Sequence, residues 1–186
     1  MDVTVTNTER LSFRLLDPQE PADIKLLWSL DQDPQVMRFI NGGNPTSVED
    51  MDSIFVPRLN AYRNPQKGWG MWGVFDATNT DFFGWILVRP MHFFSAQRDD
   101  SDLELGWRFM RSTWGKGIAT EAAHAIMMAL YQQTQVAKYS AIAVSDNSAS
   151  IAIMKKLGMS FVSSGVHKDP LGDMLVDTYA VTFADR

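Results

Sequence analysis

The order of the predicted elements makes this chain a mixed α/β protein, with a mostly antiparallel sheet of six to seven strands and helices on both faces. Three observations predict it. Three alternating stretches follow one another between positions 69 and 110, the pattern of an antiparallel meander. Between 103 and 157 the order changes to strand, helix, strand, helix, which implies a parallel crossover. Two further strand-like stretches close the chain. No repeat, low-complexity tract or Pro/Gly/Ser linker divides the 186 residues, so one domain over 1–186 is expected.

Leu11 to Leu16 reads as a strand stopped by Asp17-Pro18. Ala22 to Gln32 reads as a helix that buries Ile24, Leu27, Trp28 and Leu30. Asp33-Pro34 opens a short helical turn, since proline is tolerated at the first helical position. Asn41 to Pro45 is a loop. A helix starts at Thr46-Ser-Val-Glu49, hydroxyls ahead of acids, and runs to about Arg63 with a disturbance near Pro57. Trp69 to Asp76 and Phe82 to Arg89 are strands joined by the hairpin connection Ala77 to Asp81. Leu103 to Met110 is the third strand. Helix 116–134, strand Lys138 to Val144 and helix Ser148 to Leu157 form the crossover, followed by strands Ser160 to Val166 and Leu175 to Ala184.

Composition excludes several classes of function. The chain has no cysteine and three scattered histidines, so thiolate nucleophiles and cysteine metal sites are out, and no metal is expected. No apolar run reaches the length of a membrane span, and the N-terminal stretch lacks the form of a signal peptide. The expected location is cytoplasmic, with no membrane partner. A net charge of −5 argues against nucleic acid as the main partner.

The most informative stretch is Arg111-Ser-Thr-Trp-Gly-Lys-Gly-Ile-Ala-Thr-Glu-Ala122. Gly115 and Gly117 stand where a strand gives way to a helix whose apolar stripe is Ile118, Ala122, Ile126 and Leu130. A helix entered through glycines offers unpaired N–H groups and the positive end of its dipole, an anion cradle. The spacing matches neither G-x-G-x-x-G, because position 120 is Thr, nor a P-loop.

This stretch resembles motif A of the GNAT N-acetyltransferases, Gln/Arg-x-x-Gly-x-Gly/Ala at a strand-to-helix junction. A second block, Val144 to Met159, is similar to the Asn-x-x-Ser-x-x-x-x-x-Lys-x-Gly-Phe element of the branch typified by the ribosomal-protein acetyltransferases RimJ and RimL. The likeness departs from the family at Ser112, where a Gln or Arg is usual. It implies a fold in which the parallel strands splay and admit acetyl-CoA as cosubstrate. The residues it assigns to that cofactor are Phe109, Met110, Arg111, Trp114, Gly115, Lys116, Gly117, Ile118, Ala119 and Asn147. It further implies direct transfer of an acetyl group to a primary amine, either a protein N-terminus or a small molecule, by a monomer or homodimer.

Such a transfer needs a neutral amine, a donor for the oxyanion and a proton for the leaving thiolate. Glu104, on the face opposite Leu103 and Leu105, is the candidate general base through water. Its bland alternative is a carboxylate paired with Arg108, with Asp102 a second choice of base. His92 lies in an expected solvent-exposed loop. The family's tyrosine acid falls at Met154, which has no proton to give, so Ser150 is the candidate acid. A helix first-turn serine that satisfies backbone groups is the competing reading. Asn147 is equally a favoured N-cap. Lys155 and Lys156 can approach an adenosine phosphate, although lysines on a helix are usually just solvated. The cluster Trp69, Trp72, Phe82, Phe83, Trp85, Phe93 and Phe94 should be mostly core, the remainder lining an acceptor groove. The missing tyrosine also motivates an alternative function, a non-catalytic module that binds and senses acyl-CoA.

Overall fold

A computed structural model describes residues 1–184. Seven strands form one sheet: β1 Leu11–Leu15, β2 Gly70–Asp76, β3 Phe82–Met91, β4 Asp99–Phe109, β5 Lys138–Ala143, β6 Ser160–His167 and β7 Met174–Thr182. Their spatial order is β1-β2-β3-β4-β5-β7-β6, and only the β4–β5 pair is parallel. The expected mixed, mostly antiparallel sheet is therefore present. The helices are α1 Pro21–Leu30, α2 Pro34–Asn41, α3 Val48–Asp50, α4 Val56–Tyr62, α5 Ile118–Gln133 and α6 Ser148–Lys156.

Strand alternation divides the core in two. On one face Val88, Leu103, Leu105 and Tyr139 pack against Ile118, Ala122, Ile126 and Leu130 of α5 and Met154 of α6. On the other, Phe82, Trp85 and Leu87 pack against Leu27 and Leu30 of α1, Met51, and Leu59 and Tyr62 of α4. The stripe read from the sequence is the buried side of α5.

Three boundaries differ from the reading, each for a physical reason. Between α3 and α4 lies a π-helical turn, Met51–Phe55. Pro57 has no N–H for the carbonyl four residues back, and the widened turn just ahead accommodates that loss without ending the helix. Strand β3 continues through Pro90 to Met91, because the ladder to β2 ends at Val88↔Gly70 and no donor is needed beyond it. Strand β4 begins at Asp99, four residues early, because a register shift after Pro90 lets Asp99 pair with Met91.

Buried charges tie the elements together. Arg14 of β1 donates to both carboxylate oxygens of Asp23 in α1 at 2.6 and 2.7 Å, and the Asp17 N–H adds a third bond at 2.8 Å. Arg108 of β4 donates to Asp31 at 2.6 Å, which also accepts from the Thr46 hydroxyl at 2.7 Å. No helix among the described residues is long and apolar enough to cross a membrane.

Candidate active site

The site begins with a fork in the sheet. Parallel pairing of β4 and β5 covers only Asp102 to Glu104 against Lys138 to Ser140. Beyond Glu104, β4 keeps its partner β3 as far as Phe109, and β5 keeps β7 as far as Ala143. A cleft opens between the two strands. Its closed end is at Glu104, and its open end leads to the starts of α5 and α6.

At the open end the chain turns through Arg111–Thr113 and then Gly115 and Gly117, both with left-handed backbone at φ 72° and 73°. That conformation costs a side-chain-bearing residue about 1–2 kcal/mol. Helix α5 starts at Ile118 with no side-chain cap. Among the described residues no acceptor meets the N–H groups of Gly117, Ile118, Ala119 or Thr120. A Cβ on Gly115 would meet nothing within 4 Å, and one on Gly117 would meet only the Arg10 guanidinium at 3.7 Å. The space above the loop is open, and free donors and the dipole of a 16-residue helix converge on it.

The residues assigned to this loop take distinct places. Phe109 and Ile118 are buried, Ala119 and Met110 half-buried. The Trp114 indole folds back to donate to the Phe109 carbonyl at 2.9 Å, which pins the loop to the end of β4. Arg111 donates from its Nε to Asp33 at 2.6 Å. A cation from a distant part of the chain stands beside this loop. Arg10, ahead of β1, lies against the cradle, donating to the Lys116 carbonyl at 2.9 Å and holding Glu121 through Nε and Nη2. Burial raises the Glu121 carboxyl, but the bonds from Thr8 and Arg10 outweigh it and leave it below the usual range. Beside them runs a groove of about 400 Å³ lined by Thr8, Gly117, Thr120, Glu121, His124, Ala125 and Lys156. No sequence signal ties Arg10 to a loop a hundred residues away.

Across the cleft, Asn147 caps α6, its side-chain oxygen accepting from the Ser150 N–H at 3.2 Å. The amide NH₂ has no acceptor among the described residues and remains available to a ligand. The Ser150 hydroxyl does not turn back to its own helix. It accepts from the indole N–H of Trp107 on β4 at 3.0 Å, which leaves its own proton to donate. Met154 is fully buried in the core.

At the closed end Glu104 is 6% exposed. Its partner is Arg89, not Arg108: Nε donates to one oxygen at 2.9 Å and Nη2 to the other at 3.3 Å. The reason is register. Residues four apart on a strand are too distant to touch, whereas Arg89 sits directly opposite Glu104. Asp102 is taken by Lys138 at 2.8 Å and Ser140 at 2.9 Å through one oxygen, its other oxygen being buried without a partner. His92 is an exposed turn residue at φ 57°. Among the described residues there is no cluster of three or more His, Cys, Asp or Glu able to hold a metal ion.

A strand fork leading to an uncapped, glycine-entered helix offers a cleft with an anion cradle at its open end. Comparison with known proteins gives the class. Residues 10–160 match the family model described as "Acetyltransferase (GNAT) domain". The chain belongs to the GNAT acetyltransferase family. It is 28% identical over 156 residues to the uncharacterised protein YkkB of Bacillus subtilis (strain 168), covering 83% of this chain and 84% of that one. It is 25% identical over 141 residues to the FsC-acetyl coenzyme A-N(2)-transacetylase of Aspergillus fumigatus (strain ATCC MYA-4609 / CBS 101355 / FGSC A1100 / Af293), covering 75% of this chain and 59% of that longer protein. Among solved structures, an acetyl transferase from Salmonella typhimurium that modifies the N-terminal serine of ribosomal protein L7/L12 superposes with a TM-score of 0.73. It is 17% identical, with 97% of this chain and 99% of that one covered, and shows the shared fold.

Proposed function

We propose that the protein is an acetyl-CoA-dependent N-acetyltransferase of the RimJ/RimL-like branch, acting on a primary amine by direct attack. The observation that carries the proposal is the uncapped start of α5 at Gly117, at the open end of a cleft whose closed end holds a carboxylate. The free N–H groups of residues 117–120 fit a pyrophosphate, and Arg10 supplies a cation beside it. Lys156 lines the adjoining groove, where an adenosine phosphate would lie. The Asn147 amide would hold the extended arm between the strands.

Acetyl-CoA supplies the activated acetyl group, and no enzyme nucleophile is needed when the amine attacks it directly. The side chains of this chain then have two tasks. Each Glu104 oxygen accepts one bond from Arg89 and keeps a lone pair that can take the amine's proton through water. The Ser150 hydroxyl, held by Trp107, donates its proton toward the sulfur that leaves. Localisation in the cytoplasm and a monomeric or homodimeric state belong to the same proposal.

The test is release of free coenzyme A with N-terminal peptides, polyamines and aminoglycosides as acceptors. Turnover with one class supports the reading. Tight binding of acetyl-CoA with no turnover on any amine contradicts it and favours the sensing module, for which the buried, proton-free Met154 is the supporting observation. Glu104→Gln should lower kcat roughly 10²-fold while the Kd for acetyl-CoA stays unchanged. Wild-type turnover in that variant would move the role to Asp102 or to no base.

A further inference from the structure

The closed end of the cleft carries more positive charge than its carboxylate balances. Arg58, on α4, is half-buried with its guanidinium 3.7 Å above the Phe94 ring. Among the described residues it makes no hydrogen bond and no ion pair. Arg89 lies beside it, 5.6 Å from the Tyr62 ring and 5.7 Å from that of Phe94. Its Nε and Nη2 hold Glu104, and its Nη1 has no acceptor among the described residues. Tyr62, Phe93 and Phe94 meet edge to face, with centroids 5.0 to 6.2 Å apart, and wall the two guanidinium groups in. The Tyr62 hydroxyl also donates to no described residue.

These donors stand where an acceptor must arrive. Glu104 is the last β4 residue paired to β5. An arm laid in the cleft from the Gly117 cradle therefore ends beside the Arg89–Glu104 pair. We propose that Arg58, the free edge of Arg89 and the Tyr62 hydroxyl form an anion subsite, and that the acceptor is a primary amine that also carries a carboxylate. This rests on the acetyltransferase reading and narrows it.

Electrostatics favours an anion over a cation here. Burial lowers the Arg58 guanidinium below its ordinary value, and repulsion from Arg89 lowers it further, outweighing the attraction of Asp169, Tyr62 and Glu104. Asp169, in the β6–β7 turn, is within influence of both arginines but within ion-pair distance of neither. A carboxylate between the two guanidinium groups relieves that repulsion through charge-assisted bonds that each can donate. Burial pushes the Tyr62 phenol up to about 12, so its proton stays available as a donor across the physiological range. A polyamine would meet Arg58 and Arg89, with Glu104 already engaged by Arg89.

Two readouts distinguish the anion subsite from the acetyltransferase reading. In the first, N-acetyl-β-alanine and its neutral carboxamide are titrated by calorimetry onto the coenzyme A-loaded protein. An N-acetylated peptide with aspartate at its second position, against the same peptide with asparagine, distinguishes a chain terminus from a free amino acid. The carboxylate member should bind roughly tenfold more tightly. The difference should vanish in Arg58→Gln and survive in part in Arg58→Lys. Equal affinity in both pairs, or a preference that persists in Arg58→Gln, overturns the anion subsite. In the second readout, the corresponding free amines are assayed for acetylation. A carboxylate preference in binding without any turnover keeps the subsite and contradicts the acetyltransferase reading. Turnover with no such preference does the reverse.

Discussion

Ser150 is the residue whose surroundings argue most specifically for chemistry. A serine in a first helical turn ordinarily satisfies nearby backbone, yet this hydroxyl accepts from Trp107 on the facing strand. Ser150→Ala should lower kcat while the Kd for acetyl-CoA stays unchanged, and the unpartnered indole should cost about 1 kcal/mol of stability. A variant that loses stability but keeps its turnover would end the acid role. Gly117→Val is the complementary change. It places a branched side chain at φ 73° in the open cradle, so acetyl-CoA affinity should fall sharply and stability by about 1–2 kcal/mol. An unchanged dissociation constant in a folded variant would move the cradle elsewhere. At this scale Ser150 was singled out by the family resemblance, its Trp107 partner lying on another element. The turn glycines and the Asn147 cap were legible in the sequence because they follow from local backbone geometry. Arg10, Arg58 and Arg89 were not, since each gains its meaning from a residue on another element. Glu104 was legible as a candidate, but its partner depends on strand register, which alternation alone does not set.

Among the elements, the joint between β1 and α1 offers a quantitative handle on pH. Burial raises the Asp23 carboxyl, but bonds from Arg14 and the Asp17 N–H, with the charges of Arg14 and Arg63, outweigh it, so it titrates below 3.8 in the fold. A carboxylate with a depressed folded pKa adds stability that is present above its unfolded value and lost as pH falls through the folded one. The melting temperature should therefore drop as pH falls below about 4, the ordinary carboxylate value. Asp23→Asn should reduce that dependence and cost about 1–3 kcal/mol near neutral pH. An acid limb of the same steepness in Asp23→Asn would show that other carboxylates govern it. Element types were read correctly because the periodicities are clean, as in the α5 stripe. The boundaries at Met51–Phe55, Pro90 and Asp99 were hidden, because each depends on which neighbour a strand or helix still has at that point.

For the whole molecule, the cradle, the cleft and the α4 wall belong to one sheet with a core on each face, so ligand binding and folding should be coupled. Acetyl-CoA at about a hundred times its Kd should stabilise the fold by about 2.7 kcal/mol and raise the melting temperature by roughly 5–10 °C. Gly117→Val should lose most of that rise. The parallel crossover was implied by the change from meander to helix-separated strands, and the splay of its strands by the family resemblance. The insertion of β7 between β5 and β6 was not legible, and the wall proposed for the acceptor joins α4 to the segment after β3 across distant positions and left no contiguous motif. The most direct test of acetyl transfer is the mass of the acceptor itself. A primary amine incubated with acetyl-CoA and the protein should gain one acetyl group on nitrogen, at a rate that collapses in Gly117→Val. An acceptor left unmodified across all the amine classes, while acetyl-CoA binds and stays intact, would contradict it.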